Sequence, residues 1–215
     1  MARGVALLSG GLDSGVAAAS FVREPGNSLA LCLFFDYGQR ARGREAAASR
    51  ALAARWAAPW RALDLPWLAE LAVASGARLL PGTGDLPQGT VERPGDEHSA
   101  RAVWVPARNA VFVAAAAAHA EVLGADVVVA GFNREEAATF ADNSAAFVQA
   151  AAAFLALGTR TGVGVVSPTL AWDKGQIVAA ARALGFGAGD FWSCYEGGDA
   201  PCGRCESCLR SRWQR

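Results

Sequence analysis

Two clusters of reactive residues stand near opposite ends of the chain. Close to the N-terminus, Ser9-Gly10-Gly11-Leu12-Asp13-Ser14 cuts short an apolar run, Val5 to Leu8, and leads into Gly15-Val16-Ala17-Ala18. A glycine-rich turn between a strand and a helix points backbone N–H groups outward. It also sits at the positive end of the helix dipole, which makes an anion site. A Walker loop would need a lysine here, and the only lysine in the chain is Lys174; a dinucleotide loop needs G-x-G-x-x-G, whereas these glycines are adjacent. The turn is suited to phosphate, but to neither of those two modes.

Near the C-terminus, Cys194, Cys202, Cys205 and Cys208 fall within fifteen residues. Four thiolates at this spacing can close a tetrahedral metal shell, and a site with four protein ligands has no open position, so the metal would be structural. Zinc is expected, with an iron–sulfur cluster as the rival, because thiolate sites hold either. Cys32 stands alone in the apolar "LALCLFF" and is expected in the core. No signal peptide is visible in "MARGVALLSGG", so a disulfide framework is not expected and a cytoplasmic, soluble protein is.

The elements that must hold these clusters alternate. Strands are expected at Val5–Leu8, Leu29–Gly38, Trp60–Leu65, Asp126–Asn133 and Val163–Pro168. Between them lie helical stretches rich in Ala, Arg and Glu: one after Ser14, one over residues 42–58, and one that starts near Arg108 and stops at Gly124. A helix capped at Asp142 or Asn143 and one from Asp173 to Gly185 follow. Apolar strands alternating with helices predict a doubly wound α/β domain around a parallel five-stranded sheet. Residues 76–106 are rich in breakers and read as a long lid-like or binding loop. The division expected is an α/β domain over 1–188 and a small four-cysteine segment over 189–215, too short for its own core without a staple.

Composition narrows the function classes. Hydrophobic residues make up 53% of the chain, yet the longest glycine-free apolar run is only Ala110 to Ala118, far below the roughly 18 residues of a membrane span. Lys and Arg (20) balance Asp and Glu (20), so no global field attracts a polyanion and no stable nucleic-acid partner is expected. The tail from Pro201 is locally basic, with Arg204, Arg210, Arg212 and Arg215 against Glu206, and reads as a solvated end. His98 and His119 are not expected to be catalytic.

The Ser9–Ser14 motif resembles the PP-loop of the ATP pyrophosphatases, which cleave ATP between the α and β phosphates. Together with "SCY…CGRCESC" at the other end, it is similar to the 7-cyano-7-deazaguanine synthase family. "FDYGQR" (35–40), "VPARN" (105–109), "GFN" (131–133) and "SPTLAWDKGQI" (167–177) extend the match in order along the chain. One segment departs, with Ala141 before Asp142 and Ala146 where the family typically has an acid.

The resemblance implies an adenine nucleotide α-hydrolase-like, Rossmann-like fold. It also implies a ligase that turns 7-carboxy-7-deazaguanine, ammonia and ATP into 7-cyano-7-deazaguanine through an adenylated carboxylate and an adenylated amide. Ser9, Asp13, Ser14 and Lys174 are the expected catalytic residues, with Leu8 to Ala18 (Leu8, Ser9, Gly10, Gly11, Leu12, Asp13, Ser14, Gly15, Val16, Ala17, Ala18) as nucleotide site and Asp13 helping to place Mg2+. Arg108, Asn109, Asn133, Glu135, Glu136 and Asp142 are expected to meet the deazaguanine, and Cys194, Cys202, Cys205 and Cys208 to bind zinc. A homodimer is implied. The rival readings are a PP-loop enzyme with another acceptor (a deazaguanine ligase or a tRNA thiolase) and a non-catalytic zinc-stapled module.

Overall fold

A computed structural model describes residues 1–88 and 97–210. Strands β1 (Arg3–Leu7), β2 (Ser28–Asp36), β3 (Trp60–Asp64), β4 (Val127–Val129) and β5 (Gly164–Val166) form one parallel sheet in the order β3-β2-β1-β4-β5. The helices among the described residues are α1 (Leu12–Arg23), α2 (Arg42–Arg55), α3 (Pro66–Ala74), α4 (Glu97–Ala102), α5 (Arg108–Leu123), α6 (Arg134–Ala137), α7 (Ala145–Gly158), α8 (Lys174–Ala183) and α9 (Glu206–Arg210). The chain winds outward from β1 to one edge, then returns to the other side of β1. Its switch point therefore lies between β1 and β4, and the crevice past their carboxyl ends is the ligand position in open α/β sheets.

Period-two alternation in the inner strands supplies apolar side chains to both faces. Val5, Leu31, Leu33 and Phe35 pack against Val113, Ala116 and Ala120 of α5 and Val148 and Leu155 of α7. Ala6, Leu8 and Cys32 face the other way, onto Val16 and Phe21 of α1, Leu52 of α2, and Ile177 and Ala181 of α8. Cys32 is fully buried, and burial pushes its thiol up to about 12, an inert core residue as expected. Gly124 ends α5 in the left-handed region at φ 63°, the conformation glycine tolerates best. No helix of the described residues is long and apolar enough to cross a membrane.

Four expectations need correction. Strands β4 and β5 are three residues each: beyond Val129 the chain brings Gly131 and Phe132 to the crevice, and beyond Val166 the Ser167 and Thr169 hydroxyls donate to the Phe132 carbonyl. Helix α3 was not anticipated; Pro66 occupies its first turn, where the missing N–H costs nothing. Helix α7 is capped by Ser144, whose Oγ accepts from the Phe147 N–H at 3.1 Å, while residues 141–143 form a 3-10 turn. The segment 76–106 is no open loop where it is described. Ala77, Leu79, Leu80, Leu86, Val103 and Val105 are buried in a third core with Leu68 and Ala72 of α3 and with Cys194 and Cys205. Residues 89–96 of that segment, and Arg212 and Arg215 of the basic tail, lie outside the described residues.

Candidate functional site

Past the end of β1 the chain turns through Gly10 at φ +82° and enters α1. The turn is braced internally: the Ser9 and Ser14 hydroxyls lie 3.0 Å apart, the Gly11 N–H donates to Ser9 Oγ at 3.3 Å, and Ser14 Oγ donates to the Gly11 carbonyl at 3.1 Å. Gly11 gives α1 no side-chain cap, so the helix start presents N–H groups for a ligand. The carbonyl of Gly10 accepts from the Trp192 N–H at 2.9 Å, which ties the C-terminal segment to the loop.

Close packing explains two of the glycines. A Cβ on Gly10 would lie 2.3 Å from the carbonyl oxygen of Glu45, besides the left-handed φ. A Cβ on Gly131, just past β4, would lie 2.6 Å from both N and Cα of Ser14. Gly131→Ala must therefore push the first turn of α1 away from β4. We expect a loss of about 1–3 kcal/mol, equivalent to about 2–4 °C in Tm per kcal/mol for a chain of this size, measurable by scanning calorimetry; an unchanged Tm would contradict this packing.

The crevice is a cavity of about 310 Å³. One end holds Ser9, Gly11, Leu12, Asp13 and Ser14 with Glu136 and Lys174; the other is walled by Phe35, Tyr37, Trp104, Phe112, Phe140 and Tyr195. Lys174 Nζ lies 2.5 Å from Asp13 Oδ2 and 3.1 Å from Glu136 Oε1, and its side chain is 13% exposed. Burial alone would lower the Lys174 pKa, but the two carboxylates outweigh it and hold the ammonium charged. Asp13 Oδ1 is buried with no hydrogen-bond partner among the described residues, an oxygen free to meet a cation.

The residues expected at the acceptor end divide. Arg108, Asn109, Asp142 and Glu136 line the cavity. Arg108 Nη1 donates to the Tyr37 hydroxyl at 3.2 Å, and Asn109 Nδ2 to the Asp142 carbonyl at 3.4 Å. Ala107, left-handed at φ 52°, sets the entry into α5 that brings Arg108 and Asn109 there. Asn133 and Glu135 are not brought to the cavity. Asn133 is fully buried, and its side chain caps α6 by accepting from the Glu136 N–H; Glu135 accepts the Lys174 backbone N–H at 3.1 Å. Both position Lys174 and Glu136. Val16, Ala17 and Ala18 are likewise buried along α1 and do not line the cavity.

Two carboxyl groups in the cavity wall were not singled out from sequence. Glu45 Oε2 accepts from Gln39 Nε2 at 2.9 Å, and Gln39 is locked in turn by the Tyr37 N–H and the Phe35 carbonyl. Burial pushes Glu45 up to about 7, against the Gln39 donor and the Arg108 charge, with Asp36 adding to the rise. Glu206 reaches the cavity from α9. The signals were present in "GQRARGRE" and "CESC", but neither spacing says which way a carboxylate points.

The four cysteine Sγ atoms lie within 4.8 Å of one another, with Cys194–Cys205 and Cys202–Cys208 both at 4.0 Å. Tetrahedral Zn–S bonds of about 2.3 Å require sulfur separations near this value, so the donor set fits a metal ion. The N–H groups of Glu196 and Cys202 approach Cys194 Sγ, and that of Cys205 approaches Cys202 Sγ, each at 3.3 Å, as thiolate ligands require of their surroundings.

Comparison with known proteins follows the same outline. The family model described as "Queuosine biosynthesis protein QueC" matches residues 3–213. The 7-cyano-7-deazaguanine synthase of Desulforudis audaxviator is 45% identical over 210 residues, covering 97% of this chain and 94% of that protein. That of Methanosarcina mazei is 39% identical over 215 residues, covering 97% and 91%. Among solved structures, a 4-thiouridine synthetase–RNA complex with bound ATP superposes with a TM-score of 0.53 at 20% identity over 86% of this chain and 41% of that one. The U34-tRNA thiolase NcsA of Methanococcus maripaludis, with its [4Fe-4S] cluster, gives 0.50 at 16% over 86% and 57%. This chain spans less than two thirds of either structure, and at these identities the likeness is one of fold.

Proposed function

The chain belongs to the QueC family of queuosine biosynthesis, whose curated members are 7-cyano-7-deazaguanine synthases, and we propose that it builds the nitrile inside this single cavity in two ATP-dependent steps. One observation carries the reading. The phosphate-type turn, the Lys174 cation and the aromatic pocket share one crevice at the switch point, so an adenylate and a flat acceptor can meet there.

In this proposal the first ATP gives AMP to the acceptor carboxylate, and pyrophosphate leaves against the α1 N–H groups, Ser9, Ser14 and Lys174. Ammonia displaces AMP to give the amide. The second ATP adenylates the amide oxygen, and departure of AMP with loss of protons leaves the nitrile. The free Asp13 Oδ1 is the group suited to Mg2+, which would offset pyrophosphate charge. Arg108, Asn109 and Asp142 hold the acceptor. Zinc in the four-thiolate site would keep the described part of the C-terminal segment, 189–210, against the α/β domain and take no part in the chemistry. A homodimer, a cytoplasmic setting and no nucleic-acid partner complete the reading; Phe154 and Leu157 of α7 and Val122 of α5 are the exposed apolar side chains suited to the dimer contact.

Glu45 is the carboxyl suited to taking the proton from the nitrogen donor, since a base works best with a pKa near the working pH. At a fixed concentration of free ammonia the rate should rise as pH passes through about 7, and Glu45→Gln should remove that limb and cost about 10²–10⁴-fold. The sign for stability is opposite. A carboxyl with a raised folded pKa favours the folded state below its unfolded value, and that contribution is lost as pH rises through about 7. Glu45→Gln should therefore lack this loss of Tm between acid and neutral pH, and a pH profile unchanged in the variant would sink the assignment.

The overall reading is tested by incubating the protein with ATP, Mg2+, ammonium and 7-carboxy-7-deazaguanine, then resolving products by mass spectrometry. AMP together with the nitrile is the expected outcome. AMP with no nitrile would move the reaction to another acceptor.

A further inference from the structure

Resting on this functional reading, we propose that Glu206, carried by the four-cysteine segment, is the carboxylate that accepts from the guanine-type N–H edge of the acceptor. The observation is an incomplete set of hydrogen bonds. Glu206 is 4% exposed and forms part of the cavity wall. Its Oε1 takes both donors of Arg210, Nε at 2.8 Å and Nη2 at 2.7 Å, which fixes the plane of the carboxylate. Its Oε2 is buried and has no partner among the described residues. A buried carboxylate oxygen left without a donor is costly, and such groups in native structures generally meet a ligand, a water or an ion.

Asp142 also holds the acceptor, and each of the other cavity carboxylates has a partner of its own. Asp13 and Glu136 share the Lys174 ammonium at the phosphate end. Asp142 Oδ1 accepts from Asn143 Nδ2 at 3.3 Å. Glu45 is held by Gln39 beside the phosphate turn. Glu206 combines a clamped orientation with an open acceptor away from the Lys174 cluster, in the same wall as Tyr195, which is near enough to interact with it. A flat heterocycle seated there would offer a ring N–H and an exocyclic amino N–H side by side. Arg210 occupies both lone pairs of Oε1, so the free Oε2, with its own two lone pairs open, is the atom that accepts the two neighbouring donors. The placement also gives the metal segment a function beyond stapling. Cys205 and Cys208 flank Glu206, and the Ser207 hydroxyl donates to the Ser193 carbonyl at 2.5 Å, so the ordered segment delivers the recognition group.

The test compares two acids: 7-carboxy-7-deazaguanine and the same acid lacking the 2-amino group. Each is titrated calorimetrically into the metal-loaded protein, and its kcat/KM for nitrile formation is measured. Wild type should prefer the amino-bearing acid by 10²-fold or more, because the analogue leaves the buried oxygen unpaired. Glu206→Gln should weaken the amino-bearing acid by about 10²-fold and bring the ratio of the two acids to within a few-fold. Its metal content and its KM for ATP should stay at the wild-type values. Glu206→Asp retains the charge but draws the free oxygen back, so it should lose discrimination in the same way and carries the test if the glutamine variant does not fold. Nitrile formation by wild type without discrimination overturns the role of Glu206 and leaves the function standing. Variants that keep the wild-type ratio overturn it too. Failure of wild type to bind either acid overturns both.

Discussion

Lys174→Met is expected to lower the rate of AMP formation by at least about 10²–10³-fold, the cost of removing one preorganised donor to a developing anion. The residue is the only lysine in the chain, and it sits where two carboxylates and the phosphate turn converge. In the resting protein its charge balances Asp13 and Glu136. In the proposed reaction the same ammonium, beside Asp13 of the turn, would meet the departing pyrophosphate, and its interaction would strengthen as charge develops. The substitution also has a structural cost, because removing one partner of a buried ion pair leaves the other uncompensated, typically by about 3–5 kcal/mol. With the Lys174 side chain 13% exposed, the lower end of that range applies. A double variant separates the two roles. Lys174→Met with Glu136→Gln removes a positive and a negative charge together and should regain part of the lost Tm, Asp13 still lacking its partner, while AMP formation stays low. Recovery of AMP formation in the double variant would mean that Lys174 only balances charge.

That site was legible in parts, and the parts divide by distance along the chain. The Ser9–Ser14 turn and the four cysteines are local patterns whose chemistry is set by spacing, so sequence reading found them directly. The order of strands and helices was legible too, because apolar strands alternate with helices that end at residues such as Gly124. What escaped depends on contacts between distant segments. The stretch 76–106 looked open because it is rich in Gly and Pro. Its scattered Leu79, Leu86, Val103 and Val105 instead find a core in α3 and the cysteine segment, neither of which announces itself as their partner. Asn133 and Glu135 lie beside the acceptor motifs in sequence, yet the geometry of α6 turns one into a cap and the other toward the backbone of Lys174. Glu45 and Glu206 come from the second and last helices, and only the folded sheet brings both to one crevice.

Removal of the metal should have the second large effect, and it should reach the chemistry through the cavity wall. The C-terminal segment has few apolar residues of its own; Cys194 and Cys205 are part of the third core, and the Trp192 N–H holds the Gly10 carbonyl of the phosphate turn. Without the ion, four thiols packed within 4.8 Å of one another lose the charge that draws them together. A ligand that binds only the folded state at about 1,000 times its dissociation constant contributes about 4 kcal/mol, which for a chain of this size corresponds to roughly 8–16 °C in Tm. Prolonged chelation, or Cys205→Ser, should produce a shift of that order together with loss of acceptor binding, because Tyr195, Glu206 and Trp192 leave the wall they share. The loaded protein should contain one zinc per chain by elemental analysis and show none of the broad visible absorption of an iron–sulfur cluster. Iron with inorganic sulfide would replace the zinc assignment, but the coupling to the cavity would stand. A chelated protein that keeps both its Tm and its affinity for the acceptor would show that the segment holds the wall by packing alone.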